Sequence, residues 1–237
     1  ALSNATIPAS AFVGGTANIP STGSTPVSFA FTTSPRAPTA VALRAVDDDG
    51  VSSSGHAEGS VSIRSGRLKF SNAFGSEKSN LTLPVQAQYW SGTTWLLNSD
   101  DTFGCTFVPA SAVALSNHVN HKGESTTVWS TSPVAGITIT QGSGELVLRA
   151  PTLTGSASAS DLPIGSLSLA LNLGASSSTS DTSCVSGIHP TTTGANLSWL
   201  RAQYGSCSAA LIDPSAKITF GVYQPESKKI IHRRDLF

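Results

Sequence analysis

Apolar residues recur at every second position over much of this chain. TPVSFAFTT puts Val27, Phe29 and Phe31 on one side, and APTAVALRAV does the same with Val41, Leu43 and Ala45 before stopping at DDDG. Successive side chains of an extended strand point to opposite faces, so a period of two predicts strands with one face on a core. SVSIRSGRLKFSNAFG begins with Val61 and Ile63, changes phase near Ser65-Gly66, and resumes with Leu68 and Phe70. A one-residue slip turns every later side chain to the wrong face, so a bulge or bend is expected there. LTLPVQAQYW aligns Leu81, Leu83, Val85, Ala87 and Tyr89, and Pro84 within it implies an edge or an irregular strand start.

Farther on, GITITQGSGELVLRAP reads as two strands around a Gly-rich turn. SLSLALNLG alternates strictly, with Leu167, Leu169, Leu171 and Leu173 facing inward and Ser168, Ala170 and Asn172 facing away. Helix signals are thin: PASAVALSNHV (109–119) allows one or two turns, and GANLSWLRAQYG (194–205) about two between its glycines. GASSSTSDTS (174–183) reads as a flexible loop. The predicted class is all-β: packed antiparallel sheets resembling a β-sandwich, as one large domain or two small subdomains. The division expected is an N-terminal part over 1–108 and a C-terminal part over 109–237, closed by a hairpin over 218–237.

Composition supports this class. Only 12% of residues are charged, while Ser, Thr, Gly, Asn and Pro, which favour loops and strand edges, are abundant. Lys+Arg and Asp+Glu balance at 14 each, so no global field draws in nucleic acid or an anionic bilayer. No apolar run is long enough to span a bilayer as a helix. The chain begins at Ala1 and contains no Met, so a mature exported form or a fragment, any secretion signal already removed, is expected. Cys184 and Cys207 flank a loop of ordinary size and are the expected disulfide, which would add roughly 3 kcal/mol in an oxidising compartment. Cys105 is left as a buried free thiol, or as an alternative partner for either of them or for another chain.

Four segments, in order, carry a resemblance: SGRLKFSNAFGSE (65–77), LPVQAQYWSGTTWLLNSDDTFGCT (83–106), GANLSWL (194–200) and DPSAKITFGVYQPESKKIIHRRDLF (213–237). Together they resemble the C-terminal region of MshQ-like proteins, large exported proteins encoded with bacterial MSHA-type type IV pilus systems. The likeness covers about the last three quarters of the chain. It implies a cell-surface protein concerned with pilus biogenesis or adhesion, and it brings no catalytic residues. The family places an Asp-Asp just before a Cys, whereas here Thr-Phe-Gly separates Asp100-Asp101 from Cys105.

The basic tail fits a strand better than a nucleic-acid arm. Ile230, His232, Arg234 and Leu236 share one face, and Lys229, Ile231, Arg233, Asp235 and Phe237 the other, so apolar residues thread both. Its arginines are expected to pair with acidic residues such as Asp213 or Asp235, or to stack on aromatics.

Candidate chemistry is sparse. Asp47 and Asp49 in DDDG, and the pair Asp100-Asp101, offer the oxygen ligands a calcium ion takes, but without the spacing of an EF-hand. A turn in which Asp bonds its own backbone and Gly takes positive φ explains DDDG better. His118 and His121, near Glu124, form the one His cluster and read as a polar surface loop, and His56 and His189 as isolated loop residues. Neither Gly-x-Ser-x-Gly nor a phosphate-binding loop occurs, so no catalytic residue or cofactor is assigned.

Tyr89, Trp90 and Trp95 surround a short turn and could stack on a sugar ring or contact a partner, although Tyr89 and Trp90 face opposite sides of one strand. The expectation is therefore a non-enzymatic exported surface protein of a type IV (MSHA-like) pilus or related assembly. Its partners would be other surface proteins, or copies of itself through strand edges. A carbohydrate-binding module is the alternative, and a secreted hydrolase the next.

Overall fold

The computed structural model describes residues 2–3, 6–14, 16–17, 28–31, 35–101, 106–202 and 211–221. All longer elements among them are strands, and the helical segments are three single 3-10 turns at Ala9–Ala11, Ala110–Ala112 and Ser198–Leu200. Contacts divide the chain into two units: 1–65 with 90–94, and 66–89 with 95–237. Residues on either side of 108 thus belong to the same unit. The phase change at Ser65-Gly66 is not a bulge within one strand. Ser60–Ile63 and Gly66–Lys69 are separate strands in different sheets, and the dividing line between the units runs between Ser65 and Gly66.

The first unit consists of short antiparallel pairs: Leu2–Ser3 with Ser28–Phe29, Phe12–Val13 with Thr16–Ala17, and Thr39–Ala42 with Ser60–Ile63. Phe29 and Phe31 share a face as their alternation requires, meeting edge-on at 5.4 Å. Leu43, expected to face inward, is 49% exposed. A ribbon of two strands has no opposing layer to cover its apolar side. Among its described residues, Ser65 alone is buried.

The second unit carries the core. One sheet orders the strands Val113–Asn120, Gly165–Leu171, Ser215–Phe220 and Ala73–Gly75, antiparallel except for the last pair. In the other, the Leu81–Trp90 strand pairs with Gly66–Lys69, Trp95–Leu97 and Ser143–Leu148. The inward rows interlock: Leu68, Leu83, Val85, Leu146 and Leu148 from one sheet share a buried cluster with Leu167, Leu169, Leu171, Ile218 and Phe220 from the other. Burying each such side chain contributes about 1.5–3 kcal/mol. Pairing with Gly66–Lys69 stops at Gln86, so Pro84 occupies a stretch laddered to Ser143–Leu148 alone.

Several expectations change in detail. The 109–119 segment holds a single 3-10 turn and then a strand from Val113, because an antiparallel ladder with Gly165–Leu171, broken only by a bulge between Ser116 and Val119, outcompetes a marginal helix. The 194–205 segment likewise has only the Ser198–Leu200 turn. Around Thr140–Ser143 the chain turns tightly, with Gln141 and Gly142 at φ 51° and 79°. The two arms then part, since Ile137–Thr138 pairs with Phe107–Val108 in another ribbon. Asn172, expected to face away, is fully buried. Its amide donates to Thr179 and Thr192, which anchor the Ser178–Ser180/Thr191–Thr193 ribbon. Its Ser178–Ser180 strand lies within the stretch read as a flexible loop.

Over 218–220 both edges of the last described strand are taken, by Gly165–Leu171 and Ala73–Gly75. The rest of the expected closing hairpin lies outside the described residues. No helix among the described residues is long and apolar enough to cross a membrane.

Substituting Leu169→Ala or Leu83→Ala should cost about 2–5 kcal/mol in urea unfolding. Val61→Thr, at a position 54% exposed, should change stability by about 0.5 kcal/mol or less. Equal losses at all three would refute this placement of the core.

Candidate functional site

The Leu81–Trp90 strand turns Leu83, Val85 and Ala87 to the core, which leaves its even-numbered residues on the opposite face. There the register sets Arg67 opposite Gln88, Lys69 and Ser143 opposite Gln86, and Glu145 opposite Pro84. Arg67 Nε donates to Gln88 Oε1 at 2.9 Å, and Gln88 Nε2 donates to Gln86 Oε1 at 2.9 Å. The Arg67 guanidinium also lies 4.2 Å over the Trp95 ring. The result is a continuous row of guanidinium and amides across the strands, in which each group orients the next. It ends at a shallow depression formed by Pro84, Gln86, Ser143 and Glu145 with the backbone of Val85 and Gly144. Gln88 is buried and bonded on both sides, so it orders the row from beneath. The exposed groups of Gln86, Ser143 and Glu145 can make directed hydrogen bonds to a polar partner at little cost in side-chain ordering.

The predicted aromatics fall partly within this site. Trp95 is half-buried and belongs to the row, with one ring face taken by Arg67. Tyr89 and Trp90 are half-buried at the end of the strand. Trp129 is core, 1% exposed, whereas Trp199 is 65% exposed. Arg67, Gln86, Gln88 and Glu145 belong to no motif that marks them in the sequence. Alternating glutamines in LPVQAQYW were the available signal, but cross-strand register cannot be read from spacing.

The acidic candidates act on the backbone. Asp47 Oδ1 accepts the Val51 N–H at 2.7 Å, and Gly50 has φ 80°, so the DDDG segment forms an Asp-capped turn. Asp49 lies in the same exposed turn, Asp100 is exposed, and Asp101 accepts the Gln141 N–H through its carbonyl at 2.6 Å. Among the described residues, no group of three or more His, Cys, Asp and Glu converges as metal ligands.

The His cluster separates. His121 lies in an exposed turn, and Glu124 accepts from the Asn120 amide at 2.9 Å. His118 is not in a surface loop. It sits in the Val113–Asn120 strand, its ring 4.9 Å from Trp129 and edge-on to it. Burial pushes its imidazole below the ordinary range and keeps it neutral. Among the described residues, neither His118 Nε2 nor Trp129 Nε1 has a hydrogen-bond partner, although both are buried.

A second polar group holds the loops. Asp213 is fully buried, and five donors converge on its carboxylate. Leu173 N and Arg201 Nε reach Oδ1 at 3.0 and 2.7 Å. Thr182 N, Thr182 Oγ1 and Arg201 Nη2 reach Oδ2 at 2.8, 3.1 and 3.0 Å. Asp213 is therefore paired with Arg201, and the tail arginines expected to pair with such acidic residues lie outside the described residues. Both oxygens are saturated, which makes this a fastening and not an acid–base centre. His189, read from sequence as isolated, bonds Asp181 and Val185, and the Asp181 hydrogen bond raises its pKa above the usual value.

The chain's residues 64–236 match the family model described as DUF6701, fourth domain, and the chain belongs to that family. Neither the curated proteins nor the solved structures compared with it gave a match.

Removing Asp213 (Asp213→Ala) should destabilise the protein by about 3–5 kcal/mol, because it strands the Arg201 guanidinium without its counter-charge. By contrast, His118→Phe should leave stability unchanged or raised, since it keeps the ring and removes an unpartnered nitrogen. Thermal unfolding of both variants checks this, and a large loss at His118→Phe would assign that nitrogen a bond it lacks here.

Proposed function

We propose that this member of the DUF6701 family is a non-catalytic, exported bacterial surface protein that works by presenting the polar face of its Leu81–Trp90 sheet to a partner. The observation that carries this reading is the Arg67–Gln88–Gln86 row, an ordered hydrogen-bonding surface on a rigid sheet. The buried Asp213–Arg201 pair supports it, because its donors and acceptors are committed to holding loops in place. The four ordered segments resembling MshQ-like C-terminal regions favour a type IV (MSHA-like) pilus or related extracellular assembly as the setting. Adhesion or assembly would be the role.

The test is affinity capture from the surface fraction of the producing bacterium with the wild-type protein and with Arg67→Ala and Gln86→Ala variants. Pilins or other surface proteins should be retained by the wild type and weakened on the order of tenfold in either variant, a loss of about 1.4 kcal/mol. Equal capture by all three proteins would sink the proposal.

Carbohydrate is the second reading, and the same row favours it, because amide and guanidinium groups complement sugar hydroxyls. Arg67 already covers one face of Trp95, so recognition would run through the polar groups more than through ring stacking. A glycan array probed with wild type and Gln86→Ala separates the readings: array hits lost in the variant select the glycan.

Export would also favour a Cys184–Cys207 disulfide. Cys207 and Cys105 lie outside the described residues, and Cys184 stands in the loop after Thr182. Peptide mapping under non-reducing conditions should return a 184–207 linked pair, and a linkage to Cys105 would replace this assignment.

A further inference from the structure

The loop from Asp181 to Pro190 is held by an imidazole whose two nitrogens both face acceptors. His189 Nδ1 lies 3.0 Å from Asp181 Oδ1, and Nε2 lies 2.7 Å from the Val185 carbonyl oxygen. A carboxylate and a carbonyl have no proton to give. A neutral imidazole carries a single N–H, so it could satisfy one of them and would turn a lone pair on the other. Only the imidazolium donates at both positions.

We propose that His189 is a pH latch: its protonated ring ties Asp181 to Val185 and holds the intervening loop closed, and loss of the proton releases it. The carboxylate at one end is buried, its side chain 2% exposed, while the imidazole is 25% exposed and open to exchange with solvent. Asp181 otherwise accepts the Ser183 N–H within its own turn. The charged groups on adjoining elements are already matched: Asp213 holds Thr182 and is paired with Arg201. From the Val113–Asn120 strand the loop meets Asn117, a neutral amide.

The ends of the loop stay fixed when the latch opens. Asn117 Nδ2 donates to the Ser186 carbonyl at 2.8 Å, and its Oδ1 accepts from Ile188 N at 3.3 Å. Asn117 reaches them from a bulge in its strand, at φ 50°. Thr182 is fastened to Asp213 at the other end. Cys184, which is disulfide-bonded, is a further fixed point, so motion is confined to the backbone on either side of it, at Ser183 and Val185.

The sign follows from the direction of the shift. Because the Asp181 bond raises the pKa of His189 in the folded protein, its stabilisation is fully present below the ordinary histidine value, about 6.5. It is lost as pH rises through the folded value. The latch is closed in mildly acidic surroundings and open in alkaline ones.

Nitrogen-detected NMR of the His189 ring, with amide hydrogen exchange of residues 183–188, tests this from about pH 5.5 to 9. Both ring nitrogens should be protonated at the acidic end, with a midpoint above about 6.5. Exchange at Ser183 and Val185, corrected for its intrinsic pH dependence, should rise several-fold through that midpoint. Asp181→Asn should lower the midpoint, and His189→Gln should make the exchange independent of pH. A single neutral tautomer at acidic pH, or wild-type exchange indifferent to pH, would overturn the proposal whatever the variants do.

Discussion

Two sheets must bury one face each against the other, and every other feature of the second unit answers to that constraint. Leu167, Leu169 and Leu171 meet Leu83, Val85 and Leu146 in one cluster, with Trp129 and Phe220 within it. Strand alternation then leaves each sheet a second face. On the Gly165–Leu171 sheet, part of that face is covered by the Ser178–Ser180/Thr191–Thr193 ribbon, hung from the buried amide of Asn172. On the Leu81–Trp90 sheet the second face is exposed at Pro84 and Gln86. The row of arginine and glutamines runs from there to a half-buried Arg67 through Gln88, which is buried. The core and the proposed contact surface are thus two sides of the same strand.

Buried polarity divides along the same lines. The Asp213 carboxylate gathers donors from 173, 182 and 201, positions far apart in sequence, and so closes loops that no ladder reaches. A buried charge left alone would be costly, and five donors remove that cost while fixing the geometry. His118 against Trp129 shows the opposite compromise: packing has left two ring nitrogens without partners among the described residues.

Period two was readable wherever a strand lies between a core and solvent. The Leu167–Leu173 row and the Leu83–Ala87 row emerge at the depth their alternation requires. The same pattern misled at Leu43, because alternation says which residues share a face and not whether another layer covers it. Asn172 and His118 were misplaced for a related reason: their burial comes from a ribbon and a tryptophan that approach from elsewhere in the chain. The polar row was half visible, as alternating glutamines. Arg67 joins it through a register set only by the folded sheet. The Asp213 and His189 fastenings were invisible, since a single Asp or His in a loop carries no signature of its partner.

Cross-linking mass spectrometry on intact bacteria tests the central claim most directly, using Lys69, exposed beside Gln86 on the polar face, as the reporter. The account predicts that Lys69 links to another surface component, and that the link is lost in Arg67→Ala while the fold persists. Links confined to the opposite sheet, with Lys69 unmodified by any neighbour, would contradict it.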